Sequence, residues 1–391
     1  MVCRSLDSRF AVPSYRTGTL FKIRNDNLQV TVSYNFMKAA YKYIESIQDD
    51  FYQKEDGLPL WFNIRDSLQN PAYKDLFLKE SGMSLDDLNS LFNALNRPLP
   101  TKFENPYEYP IINDLYTNLT DSIKLVNKNN GKPNLFNVEQ FPVIGTLPIK
   151  TINAFICKVP NSDEFAILLN HGIIKFSLIL SRLFDLLITE NKHGWIDFNA
   201  ISKNIILRNY HLKKKSFLLT LDEFRKYFVT YEYGDEFMNG EYVLHKTSQA
   251  KQYADSYIKF ILAHELGHFF KQHLAEFELK IPSTLEDYKE QISKHYRMES
   301  EADVVGAILL VENLNINRLP IHFAIIGITI FYCSIDILYG SVFSTTHPRT
   351  RMRYETVEKT LRNHYPRHKM SIEIGFEIGN TLYDIIKENY E

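Results

Sequence analysis

Apolar residues recur every three or four positions over most of this chain, which is the spacing of helices that bury one face. Residues 34–54 carry the pattern, and it returns around 70–80, 84–95 and 110–127. Pro98, Pro100, Pro106 and Pro110 then break it between Arg97 and Pro110, and Asn127 to Pro148 is rich in Asn, Gly and Pro. A boundary is therefore expected near residue 130, with a helical region 1–130 before it. Further on, a strongly apolar helix is expected over 172–190, with Asn170 as its N-terminal cap. More helices follow near 222–230, 247–274, 298–310 and 372–390, and Phe323 to Ile335 reads as a buried core helix.

The pattern over 253–270 changes the picture. Tyr257, Phe260, Ile261, His264 and His268 fall on one stripe, while Leu262, Leu266, Phe269 and Phe270 cover the other faces, so this helix is packed nearly all round. Within it stands His264-Glu265-Leu266-Gly267-His268. Residues four apart share a helix face, so the two imidazoles can grip one zinc ion while Glu265 faces a water beside it. Two histidines and a carboxylate on a buried helix need partners, and a metal supplies them. The bland alternative is a pair of core histidines bonded to backbone carbonyls.

A catalytic zinc takes three protein ligands and keeps a fourth position open. The extended pattern HExxHxxGxxH is excluded, because Lys271 and Leu274 stand at the required positions. His273, five residues from His268, is turned off the ligand face of a continuous helix and is expected at the surface or behind the ligands. The predicted helix over 298–310 puts Glu299, Asp303 and Gly306 on one face. Glu299 is the candidate third ligand, with Glu301 in the same acidic cluster as the alternative. Asp303 is placed to accept the outer N–H of a ligand histidine, and Gly306 with Ala307 lets two helices approach closely.

HELGH followed by Glu-x-x-Ala-Asp resembles the gluzincin zinc metallopeptidases, and this match prefers Glu299 over Glu301. Thr346-His347-Pro348-Arg349-Thr350-Arg351-Met352-Arg353 is similar to the Thr-His-Pro-x-x-x-x-Arg signature of the HtpX and CAAX-endopeptidase branch. Ile152-Asn153-Ala154-Phe155-Ile156, a Pro-Asn-Ser-Asp turn and Phe165 to Leu169 resemble the hairpin that precedes the active helix there. The 31 residues from His268 to Glu299 are short for that membrane-bound branch and closer to the compact ImmA/IrrE arrangement. The four elements cover roughly residues 150–360.

The resemblance implies a mostly helical α+β fold: a zincin-like domain over 131–391, with a small sheet beside the active helix. It implies a zinc endopeptidase in which His264, His268 and Glu299 hold Zn2+ and Glu265 is the general base. His347 is nominated as a donor to the tetrahedral oxygen, with Arg353 as a support or second donor. Asn153 and Ala154 are the expected substrate-facing residues of an edge strand that pairs with an extended peptide. Residues 1–130 are a helical cover or a substrate-selecting or autoinhibitory module. The other function class is a sensing or binding protein on a degenerate scaffold of this kind, and the intact Glu265 disfavours it.

The resemblance implies a protein or peptide as the partner, and composition argues against another. A net charge of −2 leaves no nucleic-acid footprint, and Lys213-Lys214-Lys215 is expected to be a solvated loop. Cys3, Cys157 and Cys333 are scattered and odd in number, which suits a reducing compartment. Without a signal-like apolar core near the N-terminus, a cytoplasmic location is expected. The uncharged run Phe323 to Ile335 is short for a span of about 20 residues, so no membrane association is expected.

Overall fold

The computed structural model describes residues 38–54, 67–81, 84–129, 140–149, 151–188, 202–228, 248–276, 284–339 and 348–390. Helices dominate these residues, and three strands form one small sheet, an α+β arrangement that is mostly α. On the N-terminal side lie α1 (Ala39–Lys54), α2 (Pro71–Ser81), α3 (Leu85–Leu95) and α4 (Glu108–Asn129). The strands are β1 (Val143–Leu147), β2 (Ala154–Lys158) and β3 (Phe165–Asn170). After them come α5 (Gly172–Leu187), α6 (Lys203–Phe228), α7 (Ser248–Phe270), α8 (His273–Glu276) and α9 (Leu285–Ile316). The chain closes with α10 (His322–Tyr339), α11 (Thr350–His364) and α12 (Lys369–Tyr390).

The strand order is β1-β3-β2, with β1 parallel and β2 antiparallel to the central β3. Successive side chains of β3 point to opposite faces, and both faces are covered. Ala166 and Leu168 meet Ala40 and Ile44 of α1, while Ile167 and Leu169 join the main helical core. Gln48 locks α1 to this layer: its Nε2 donates to Thr146 O (2.7 Å) and Glu104 Oε1 (2.9 Å), and its Oε1 accepts from Thr101 (2.6 Å). The proline-rich approach to α4 is thus packed, with Thr101, Phe103, Glu104 and Asn105 all buried. Helix α4 adds Ile112, Leu119 and Ile123 to the same core that contains α7.

Helix α7 is the axis of the molecule. Helices α4, α5, α9 and α10 and strand β2 all pack against it, so Tyr253, Tyr257, Phe260, Leu262 and Leu266 are fully buried. Helix α9 starts well before the expected 298 because Thr284 caps it. The Thr284 hydroxyl accepts from Asp287 N (3.1 Å) while Asp287 Oδ2 accepts from Thr284 N (3.0 Å).

Several expectations need correction. Strand β1 lies inside the stretch expected to be only a boundary; five buried residues between Pro142 and Pro148 suffice for it. Asn170 does not cap α5. It ends β3, and its Nδ2 donates to Thr151 Oγ1 (2.7 Å), leaving the cap position to His171, whose side chain makes no capping bond. Lys213 to Lys215 are exposed positions within α6, which begins at Lys203, and not a loop. Among the described residues no helix is long and apolar enough to cross a membrane.

Candidate metal centre

Two glycines set the distance between α7 and α9. A Cβ on Gly267 would lie 2.7 Å from Ala302 O, and one on Gly306 would lie 2.9 Å from His264 N. Only backbone hydrogen fits in both directions, so the helix carrying the histidines and the helix carrying the carboxylates touch along their main chains.

That contact brings three side chains to one point. His264 Nε2 and His268 Nε2 are 3.2 Å apart, and the Glu299 carboxylate lies 3.6 Å from the first and 3.5 Å from the second. Among the described residues they are the one group of His, Cys, Asp or Glu side chains whose ligand atoms all fall within 4.8 Å of one another. A tetrahedral zinc site with bonds of about 2.0–2.2 Å has ligand-to-ligand edges of about 3.3–3.6 Å. The donor set and its spacing therefore fit zinc.

The surroundings call for positive charge. Asp303 is 1% exposed, Arg353 3% and Glu265 6%. Arg353 Nε and Nη2 donate to the two oxygens of Asp303 (2.6 and 2.8 Å), and Nη2 also lies 3.1 Å from Glu299. Of the three carboxylates gathered here, the one guanidinium meets Asp303 and Glu299, and a divalent cation would balance the negative charge left over with Glu265. His264 Nδ1 lies 3.0 Å from Asp303 Oδ1 in an off-axis contact, which turns its Nε2 toward Glu299. Burial works to lower the His264 pKa, but Asp303, Glu299 and Glu265 outweigh it and hold the ring above its usual value. Burial opposes ionisation of Asp303 too, and there Arg353 and then His264 prevail, so its pKa is lowered. For Glu265 burial wins, against the pull of His264 and His268, and its pKa is raised.

Glu265 has a second anchor. The N–H of Ile156 donates to its Oε2 at 2.8 Å. Asn153 O accepts from Asn170 N and Val159 N donates to Glu164 O, so alternation along β2 turns the backbone groups of Ala154, Ile156 and Lys158 away from β3. This outward edge faces α7.

The other expected residues fall as follows. Asn153 is exposed and Ala154 half-buried at the start of β2. Arg353 stands behind the cluster, engaged by Asp303 and Glu299, in a supporting position. His347 lies outside the described residues. Glu301, the alternative third ligand, points elsewhere: its Oε2 is 3.0 Å from His273 Nε2.

Of the two places expected for His273, the structure gives the one behind the ligands and not the surface. His273 is 1% exposed, and its Nδ1 lies 2.9 Å from His268 Nδ1. The five-residue offset holds only on a continuous helix. Here α7 stops at Phe270, Gln272 adopts a left-handed φ of 56°, and α8 begins at His273, so the chain doubles back beneath His268. The contact of Ile156 with Glu265 was equally invisible in the sequence, since any residue but proline supplies that N–H. No protein-family model, no curated protein and no solved structure matches the chain.

Proposed function

We propose that this chain is a zinc-dependent endopeptidase of the gluzincin type, hydrolysing peptide bonds of an intracellular protein substrate. The observation that carries the reading is the convergence of His264 Nε2, His268 Nε2 and the Glu299 carboxylate at 3.2–3.6 Å beside Glu265. These three residues would hold the metal. When bound, zinc supplies a Lewis acid that polarises the scissile carbonyl and brings the pKa of a water near neutrality.

The chain's own groups do the rest. Glu265, held at Oε2 by Ile156 N–H, keeps Oε1 available to take a proton from the attacking water and return it to the leaving amine. Asp303 orients the His264 ring, and Arg353 fixes Asp303 and Glu299 together. An extended peptide would lie along the outer edge of β2, using backbone groups of Ala154 with Asn153 beside them. His347 is the proposed donor to the tetrahedral oxygen, on the strength of the Thr-His-Pro-x-x-x-x-Arg resemblance.

The test is a comparison of protein termini in cells expressing wild type or Glu265→Gln. Wild type should generate new N-termini that the variant does not. If Glu265→Gln generates the same termini, the mechanism is wrong.

A further inference from the structure

We propose that His273 and Glu301 form a positioning relay that sets the tautomer of His268, a role that rests on the zinc-site reading above. The contacts run in series and are buried at their centre, His273. His268 Nδ1 lies 2.9 Å from His273 Nδ1, and His273 Nε2 lies 3.0 Å from Glu301 Oε2. Glu301 is half-buried and also meets Arg297 at 3.5 Å.

Hydrogen-bond direction follows from the carboxylate end. An ionised carboxylate only accepts, so His273 Nε2 carries a hydrogen and donates it to Glu301. A neutral imidazole with its hydrogen on Nε2 has a lone pair on Nδ1. That lone pair faces His268 Nδ1 at 2.9 Å, so His268 must carry its own hydrogen there. The lone pair of His268 is then on Nε2, the atom that faces His264 Nε2 and Glu299. One histidine and one carboxylate, His273 and Glu301, thus dictate which nitrogen of His268 is free to bind a cation, without touching the ion themselves. The two ligand histidines are oriented by different devices: Asp303 lies directly against His264, and a second histidine stands between Glu301 and His268. The short helix α8 presents this second histidine, and the left-handed Gln272 aims it.

The test uses the full-length protein in two states. In the metal-free protein, nitrogen-15 imidazole spectra should show His268 protonated on Nδ1 and His273 on Nε2; the reverse tautomers would overturn the relay. In chelator competition, His273→Leu should bind zinc about 10–100-fold more weakly than wild type, and Glu301→Gln should weaken it by less. His273→Asn, whose side-chain oxygen can accept from His268 Nδ1, should recover most of the affinity. If His273→Leu folds and binds zinc as tightly as wild type, or if His273→Asn is as weak as His273→Leu, the relay fails. Should wild type bind no zinc, the peptidase reading falls, while the tautomers of the metal-free protein still decide the relay.

Discussion

Replacing Arg353 with Met probes how the metal centre is held together. Arg353 is 3% exposed, donates two short hydrogen bonds to Asp303 and lies 3.1 Å from Glu299. Methionine retains much of the apolar stem, so the packing loss is small and the charge loss dominates. Removing one partner of a buried, hydrogen-bonded ion pair costs about 3–5 kcal/mol, because the other charge stays buried without compensation. Against a total folding stability of about 5–15 kcal/mol, that is a large fraction. The assay is urea unfolding in the presence of a chelator, which removes any contribution from bound metal. Arg353→Met should lose stability in that range. The double variant Asp303→Asn with Arg353→Met should lose less than the sum of the two single changes, by about 1–3 kcal/mol, since it removes both charges. A single variant within about 0.5 kcal/mol of wild type, or strict additivity in the double variant, would refute the reasoning.

Other outcomes follow from neighbouring geometry. Gly306→Ala gains about 1 kcal/mol of helix propensity but drives a methyl to 2.9 Å from His264 N. Overpacking of about 1–3 kcal/mol should prevail, lowering thermal stability and zinc affinity together; a rise in stability would contradict the close contact. Ile156→Pro keeps an outward-facing edge position that proline tolerates but removes the donor to Glu265, so kcat should fall roughly tenfold to hundredfold with zinc content unchanged. An unchanged kcat in the folded variant would remove the anchoring role of Ile156. Away from the candidate metal site, burial pushes Glu104 up to about 7 and Glu108 up to about 8, while His171, whose Nδ1 lies 3.9 Å from Glu108, is pushed down to about 4. Carboxyls raised on folding add stability that is lost as pH climbs through their folded values. The depressed histidine costs stability only as pH falls below its ordinary value. Above about pH 7 His171 is neutral folded or unfolded, so within this cluster only the carboxyls still titrate; wild-type stability should fall between about pH 7 and 8, and Glu108→Gln should flatten that slope of up to about 1.4 kcal/mol per pH unit. Parallel pH profiles for the two proteins would show that Glu108 is not the titrating group.

What could be read from the sequence was local. The apolar stripe through Tyr257, Phe260, His264 and His268 marked a buried helix, and the shared face of Glu299, Asp303 and Gly306 marked its partner. Their approach follows from glycine at 267 and 306, residues whose lack of a side chain is itself a signal. Contacts made by backbone or by chain reversal left no such trace. His273 reaches His268 only because α7 ends three residues earlier and Gln272 turns the chain, and helical periodicity cannot anticipate its own end. Strand β1 is five residues long and pairs in parallel with β3, while β2 comes between them only in the chain, so nothing adjacent in sequence announces it. The buried cluster of Glu104, Glu108 and His171 is assembled from the approach to α4, its first turn and the end of β3. Each of its members read alone as an ordinary polar residue.

The central claim is that His264, His268 and Glu299 together hold one zinc ion. Metal content of the purified chain after dialysis, compared with Glu299→Gln and Glu301→Gln, tests it most directly. Wild type should hold close to one zinc per chain, Glu299→Gln should lose it sharply and Glu301→Gln should lose less. No zinc in wild type, or a Glu299→Gln variant that retains the full amount, would contradict it.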